Sequence, residues 1–181
     1  MLYPFLRNNL DVLFVGLNPA NTSSRKGHYF STNPAFWNQL YDAELITKRV
    51  NMNEADDKVF GSCDINYNHW EYGVTDLVNF LAQSNSSEVK PTIQNCIELY
   101  ETVKKYEPKT VVILHSKVAK FFLKRYLHIS NVEYGCLGKL INDCNSVFYN
   151  IPFPHGNAIT SEFKVELYKK LKENLTKSYR M

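Results

Sequence analysis

Three short apolar runs, separated by stretches with helical periodicity, set the limits on how this chain can fold. Asp11–Gly16 reads DVLFVG, Thr110–His115 reads TVVILH and Ser146–Pro154 reads SVFYNIPFP. Runs of this length, mostly apolar and with β-branched residues, read as strands, and TVVILH is typical of a central parallel strand buried on both faces. Between them, Asn33 precedes Pro34, which places an N-cap before a proline at the first helical position. Phe36, Trp37, Leu40 and Tyr41 then fall on one face of a helix expected to reach about Ile46. Pro91 and Thr92 open a second helix, running through Ile93, Cys96, Ile97, Tyr100 and Val103. Ser116 is the expected cap of a third, and Ser161 to about Asn174 forms the last. Asn21–Thr32 reads as a polar functional loop, 47–71 as an irregular connection with one short helix, and Tyr72–Phe80 as a short strand or buried loop. Alternating strands and helices imply a three-layer α/β/α sandwich around a central, mainly parallel sheet of four or five strands, with TVVILH central. Residues 1–181 are expected to form a single domain.

Charge is unevenly spread. Residues 1–100 carry 7 Lys and Arg against 11 Asp and Glu, whereas residues 101–181 carry 14 against 7. A basic half favours a phosphate-bearing partner. Most of these lysines read as solvated helix faces, and those near a strand's carboxyl end are the candidates for contact with such a partner. The four cysteines, at 63, 96, 136 and 144, form no C-x-x-C pair, so no metal site is expected. No apolar run approaches the ~18 residues of a membrane span. MLYPFLRNNLD lacks the basic start and apolar core of a secretory signal, so a cytoplasmic protein is expected.

The first strand runs into Leu17-Asn18-Pro19-Ala20. Loops beyond the carboxyl ends of strands build the sites of α/β proteins, and Pro19 stiffens this one. Asn18 is therefore presented where chemistry usually occurs. The segment GLNPANTSSRKGHYFSTNPAFW and the block YGVTDLV resemble the mismatch-specific uracil/thymine branch of the uracil-DNA glycosylase superfamily. Gly16, Asn18, Pro19, Gly27, Phe30, Pro34, Phe36, Trp37, Gly73, Val74 and Thr75 match its pattern in order, over a span of about residues 8 to 165.

The resemblance implies a monofunctional DNA glycosylase, a base-excision repair enzyme acting on uracil or a related damaged or mismatched base in double-stranded DNA. Asn18 would hold the attacking water and Phe30 would stack on the flipped base. Gly16, Leu17, His28 and Tyr29 would line the base pocket, with backbone N–H groups near Leu17 and Phe30 reading base carbonyls. Asn79 either contacts a base edge or caps a turn, and Asp76 is expected to be structural. The second DNA-binding loop falls on Pro154, His155, Gly156, Asn157 and Ala158. His155 would either donate to the leaving base or contact phosphate or the opposite strand. Ala20 and the PHGN letters depart from the family pattern. No cofactor, no metal and no membrane are expected, and the protein is expected to act as a monomer. Two other functions remain open: a catalytically silent nucleic-acid-binding relative, and a hydrolase acting on free nucleosides or nucleotides.

Overall fold

The computed structural model describes residues 2–180. Five strands form one sheet in the order β2-β1-β3-β5-β4. They are β1 (Val12–Gly16), β2 (Tyr72–Asp76), β3 (Thr110–Ile113), β4 (Gly135–Lys139) and β5 (Val147–Asn150). β1 pairs in parallel with β2 and β3, and β3 with β5, while β4 runs antiparallel along β5. This is the expected sandwich with five strands, and β3 is the central one.

The helices are α1 (Asn21–Lys26), α2 (Pro34–Asp42), α3 (Ala55–Val59), α4 (Ile93–Tyr106), α5 (Ser116–Val118) and α6 (Ser161–Ser178). α5 continues as a π-helical stretch, Ala119–Tyr126. Alternate β1 side chains feed two cores, because successive side chains of a strand point to opposite faces. Val12 and Phe14 pack with α2, α3 and α6 residues such as Phe36, Trp37, Val59 and Tyr168. Leu13 and Val15 pack on the other face with Leu99 and Val103 of α4 and with Val118, Phe122 and Leu123. Burial on both faces suits these mostly apolar runs.

Several local expectations are corrected. The polar loop Asn21–Thr32 contains α1, closed by Gly27 in the left-handed region at φ 75°. α2 is capped by Asn33, whose side chain accepts from the Phe36 N–H, but it stops at Asp42 rather than Ile46. His115, not Ser116, caps α5, its ring accepting from the Lys117 N–H. α6 runs past Asn174 to Ser178. β4 was not expected from the sequence: GCLGK has two glycines, is at most half-buried, and shifts register between Cys136 and Gly138. An irregular edge strand needs no apolar periodicity. Among the described residues no helix is long and apolar enough to cross a membrane.

Candidate active site

β2 lies on one side of β1 and β3 on the other, so the connections leaving β1 and β3 diverge at their carboxyl ends. A crevice opens at such a switch point in an α/β sheet. Here it is a cavity of about 1120 Å³, lined from the ends of β1, β2, β3 and β5 and from the segments that follow them.

Asn18 stands at the end of β1, half-buried, in the cavity wall. Its Nδ2 donates to the carbonyls of Pro19 at 2.9 Å, Leu81 at 3.0 Å and Gln83 at 2.8 Å. Three acceptors around one amide nitrogen settle which end of the side chain is nitrogen. Among the described residues no protein donor reaches Oδ1. The backbone tightens the same junction, since Gln83 N–H donates to Pro19 O at 3.0 Å.

Gly16 precedes this turn in register with Asp76 of β2. A Cβ on Gly16 would lie 2.3 Å from Asp76 Oδ1, so only glycine admits the carboxyl there. Asp76 is 5 % exposed and lines the cavity, and its Oδ2 has no hydrogen-bond partner. Burial pushes its carboxyl up to about 7. Sequence reasoning assigns Asp76 a structural place, and the residue also lines the cavity. Leu17 is buried, and its carbonyl accepts from the Val78 N–H at 2.8 Å.

Phe30 reaches the cavity from the segment after α1. Its ring stacks on Phe36, with centroids 4.0 Å apart, and meets Trp37 edge-on at 5.9 Å. Its φ of 51° is a left-handed value that costs a phenylalanine energy. The surroundings impose it, because Trp37 Nε1 and Asn33 N–H both donate to Phe30 O, at 3.2 and 2.9 Å. Tyr29, 3 % exposed, also lines the cavity with an unpartnered hydroxyl. Burial raises its pKa, and the negative charges of Asp76 and Asp56 add to the rise.

His28 lies elsewhere. Its Nδ1 is 2.9 Å from Asp56 Oδ1 and 3.7 Å from Asp57 Oδ2, and it is not among the cavity's lining residues. Asp56 is fully buried and also accepts from the Tyr29 N–H at 2.7 Å. His28 and Asp56 thus brace the segment that carries Phe30. Asn79 also stays out of the lining. Its Oδ1 accepts from the Asp76 N–H at 3.3 Å, which is the turn-capping alternative. The four cysteines are unpaired thiols.

The opposite wall comes from β3 and the loop after β5. His115 Nδ1 accepts from Lys117 N–H at 3.1 Å, so a neutral ring carries its hydrogen on Nε2. Burial and the charge of Lys117 lower its pKa, which favours that neutral ring. Phe153 lies between His115 and His155, with ring centroids at 5.6 and 5.2 Å. His155, Gly156 and Asn157 line the cavity, whereas Pro154 and Ala158 do not. Asn157 turns back on its own loop, its Nδ2 donating to Phe153 O at 2.8 Å. Pro154 O is the loop's anchor and accepts from Gln39 Nε2 at 3.1 Å and Lys164 Nζ at 3.2 Å. Asn150, at the end of β5, also lines the cavity, a position that sequence reasoning missed. Its place at the carboxyl end of a predicted strand was the signal that could have found it. Lys120 and Lys124 stand exposed at the rim.

Residues 3–175 match the sequence profile of the uracil DNA glycosylase superfamily. A curated relative, the G/U mismatch-specific uracil DNA glycosylase of Schizosaccharomyces pombe (strain 972 / ATCC 24843), is 30% identical over 115 residues. That alignment covers 62% of this chain and 33% of the relative, so the matched region spans only a third of the relative's own length. A profile match over nearly the whole chain, together with the sheet that carries it, shows that the protein belongs to the uracil DNA glycosylase superfamily.

Proposed function

We propose that this protein is a monofunctional DNA glycosylase that hydrolyses the N-glycosidic bond of uracil, or of a related damaged or mismatched base, after the nucleotide has been flipped out of a duplex. The observation that carries the reading is the Asn18 amide. Three carbonyls hold its nitrogen, so its oxygen is the group offered to a water in the cavity. An amide oxygen is a weak base. It positions the water, and the departing base supplies much of the drive.

In the proposed reaction the water oxygen bonds to C1′ of the sugar as the C1′–N bond breaks. The bonding electron pair leaves on the base, and the water's extra proton passes to solvent or to the base. Base flipping pays for unstacking, and the pocket repays it by stacking and hydrogen bonds. Phe30 is the stacking ring, worth roughly 1–3 kcal/mol. A donor facing the developing anion lowers the barrier, and His115 Nε2–H and the ring of His155 are the donors on that wall. Lys120 and Lys124 favour phosphate at the rim. The proposed partner is double-stranded DNA bound by a monomer, and the chemistry calls on water and side chains alone.

The reading is tested by base release from labelled duplexes carrying U, T or hypoxanthine opposite G and opposite A, with alkali cleaving any abasic site. Release from G·U that is lost in Asn18→Ala, with duplex binding intact, is the expected result. Full activity in that variant refutes the mechanism. Binding of abasic duplex without release from any substrate favours a catalytically silent relative, for which the atypical Pro154–Ala158 loop is the motive. Faster turnover of free nucleosides than of DNA favours a nucleoside hydrolase.

A further inference from the structure

The loop that follows β2 has no regular structure and is mostly exposed from Phe80 to Glu88. It nevertheless supplies two of the three carbonyls that hold the Asn18 amide, Leu81 O and Gln83 O. Exposed polar loops are ordinarily the mobile parts of a fold. A loop that orients an amide must itself be fixed.

One side chain gathers its far end. Lys117, in α5, donates from Nζ to the carbonyls of Ser86, of Ser87 at 3.1 Å and of Val89 at 2.8 Å. An ammonium has three hydrogens and accepts nothing, so three carbonyls use its whole capacity. Val89 is fully buried in the core on that side of the sheet. Between the two ends the loop braces itself. Glu88 accepts from Gln83 Nε2 at 2.7 Å and from Asn85 Nδ2 at 2.8 Å, and Ser84 Oγ accepts from the Asn21 N–H at 3.1 Å. A continuous path of bonds thus runs from Lys117 through Ser87, Glu88 and Gln83 to Asn18. The lysine is not placed for phosphate. Lys120 and Lys124 stand exposed at the cavity rim, whereas Lys117 is half-buried, lies outside the lining and gives its hydrogens to backbone.

We propose that Lys117 is a positioning residue for the hydrolysis: by gathering the Ser86, Ser87 and Val89 carbonyls it holds the loop after β2 against Asn18, and so keeps the amide oxygen turned toward the water. The inference rests on the glycosylase reading. An amide rotated by half a turn would set its oxygen against the carbonyls of Pro19, Leu81 and Gln83 and offer N–H to the water. The water would then direct a lone pair at the amide rather than at C1′.

The experiment compares Lys117→Met, Lys117→Ala, Glu88→Ala and wild type on G·U duplex in single turnover at pH 8. At that pH His115, whose pKa the lysine charge lowers, is neutral with or without the charge. Lys117→Met should slow base release about 10- to 100-fold and leave duplex Kd within about 3-fold. Propylammonium, the part of the side chain that Lys117→Ala lacks, should restore rate to that variant. Equal recovery with tetramethylammonium, which has no hydrogen to donate, would show a bulk charge effect and overturn the inference. Hydrogen exchange of the 15N-labelled Asn18 side-chain amide, assigned with Asn18→Ala, reads the positioning without catalysis. It should be about 10-fold faster or more in Lys117→Met than in wild type. Glu88→Ala removes an exposed side chain from the same path, should speed the exchange in the same direction, and serves alone if Lys117→Met does not fold. Exchange unchanged in both variants overturns the inference, as does weaker duplex binding with an unchanged rate, which would make Lys117 a phosphate contact. A wild type that releases no base, with an Asn18 amide that loosens in Lys117→Met, refutes the glycosylase reading and retains the positioning role.

Discussion

Gly16 and Asp76 pair across β1 and β2, and the carboxyl of Asp76 occupies the space that a Cβ on Gly16 would need. The two residues therefore decide together what faces the cavity floor. Gly16→Ala should destabilise the protein by about 1–3 kcal/mol, the usual cost of overpacking. The carboxyl is the end of a side chain, so Gly16→Ala in an Asp76→Ala background should cost much less. Chemical denaturation of the four proteins of this cycle measures the coupling, expected at ~1 kcal/mol or more. Additive costs would mean that the clash is not the cause.

Burial of Asp76 sets a pH dependence. Its carboxyl titrates near 7 in the fold against an ordinary value of 3.8. Below the ordinary value both folded and unfolded chains hold the proton and nothing is lost. As pH rises, the unfolded chain ionises first, so stability falls until the folded group ionises too. The full loss is on the order of 4 kcal/mol. Wild type should therefore lose stability relative to Asp76→Asn between about pH 4 and pH 7. Denaturation midpoints of both proteins at pH 4.5 and pH 8 read this directly, and parallel curves would refute it.

The environment of Asn18 predicts that an acid is not tolerated there. Three carbonyl oxygens surround the amide nitrogen, and a carboxylate has no hydrogen to give them. Asn18→Asp should hold its carboxyl protonated well above the ordinary range. It should also lose stability as pH rises, by about 1–3 kcal/mol for the unmade bonds. Asn18→Ala should keep only the slope that Asp76 gives wild type. Thermal melts across pH 4 to 8 separate the two, and an Asn18→Asp whose slope matched that of Asn18→Ala would show that the amide is not held as described.

Lys164 is 2% exposed and gives its hydrogen bond to Pro154 O, together with Gln39. Lys164→Met keeps the volume and removes a buried charge, so global stability should change by less than about 1.5 kcal/mol. The loop at 153–160 should exchange its amide hydrogens faster, and KM for duplex should rise with kcat little altered. An unchanged exchange pattern would show that Gln39 alone holds the loop.

Much of the fold is legible in the residues because its signals are local. DVLFVG, TVVILH and VFYN are strands for reasons each run contains, and Asn33 with Pro34 marks a helix start through bonds made within a single turn. Asn18 is legible as a candidate for the same reason, a strand running into a stiff turn. β4 is not legible, because an edge strand with glycines at 135 and 138 is held by its pairing with β5 rather than by its own pattern. His115 displaces Ser116 as a cap because its ring reaches the Lys117 N–H, a matter of rotamer and packing.

What the sequence by itself determined is the alternation of the main strands and helices, the double-sided burial of the sheet and the turn that presents Asn18, since periodicity and capping act between near neighbours. What only the tertiary structure decided is the company each site residue keeps. Leu81 and Gln83 hold the Asn18 amide from more than sixty residues away, and Asp56 takes His28 away from the cavity. Register with Gly16 turns Asp76 into the cavity. Burial and hydrogen-bond partnership arise from chain crossings, which residue spacing does not record.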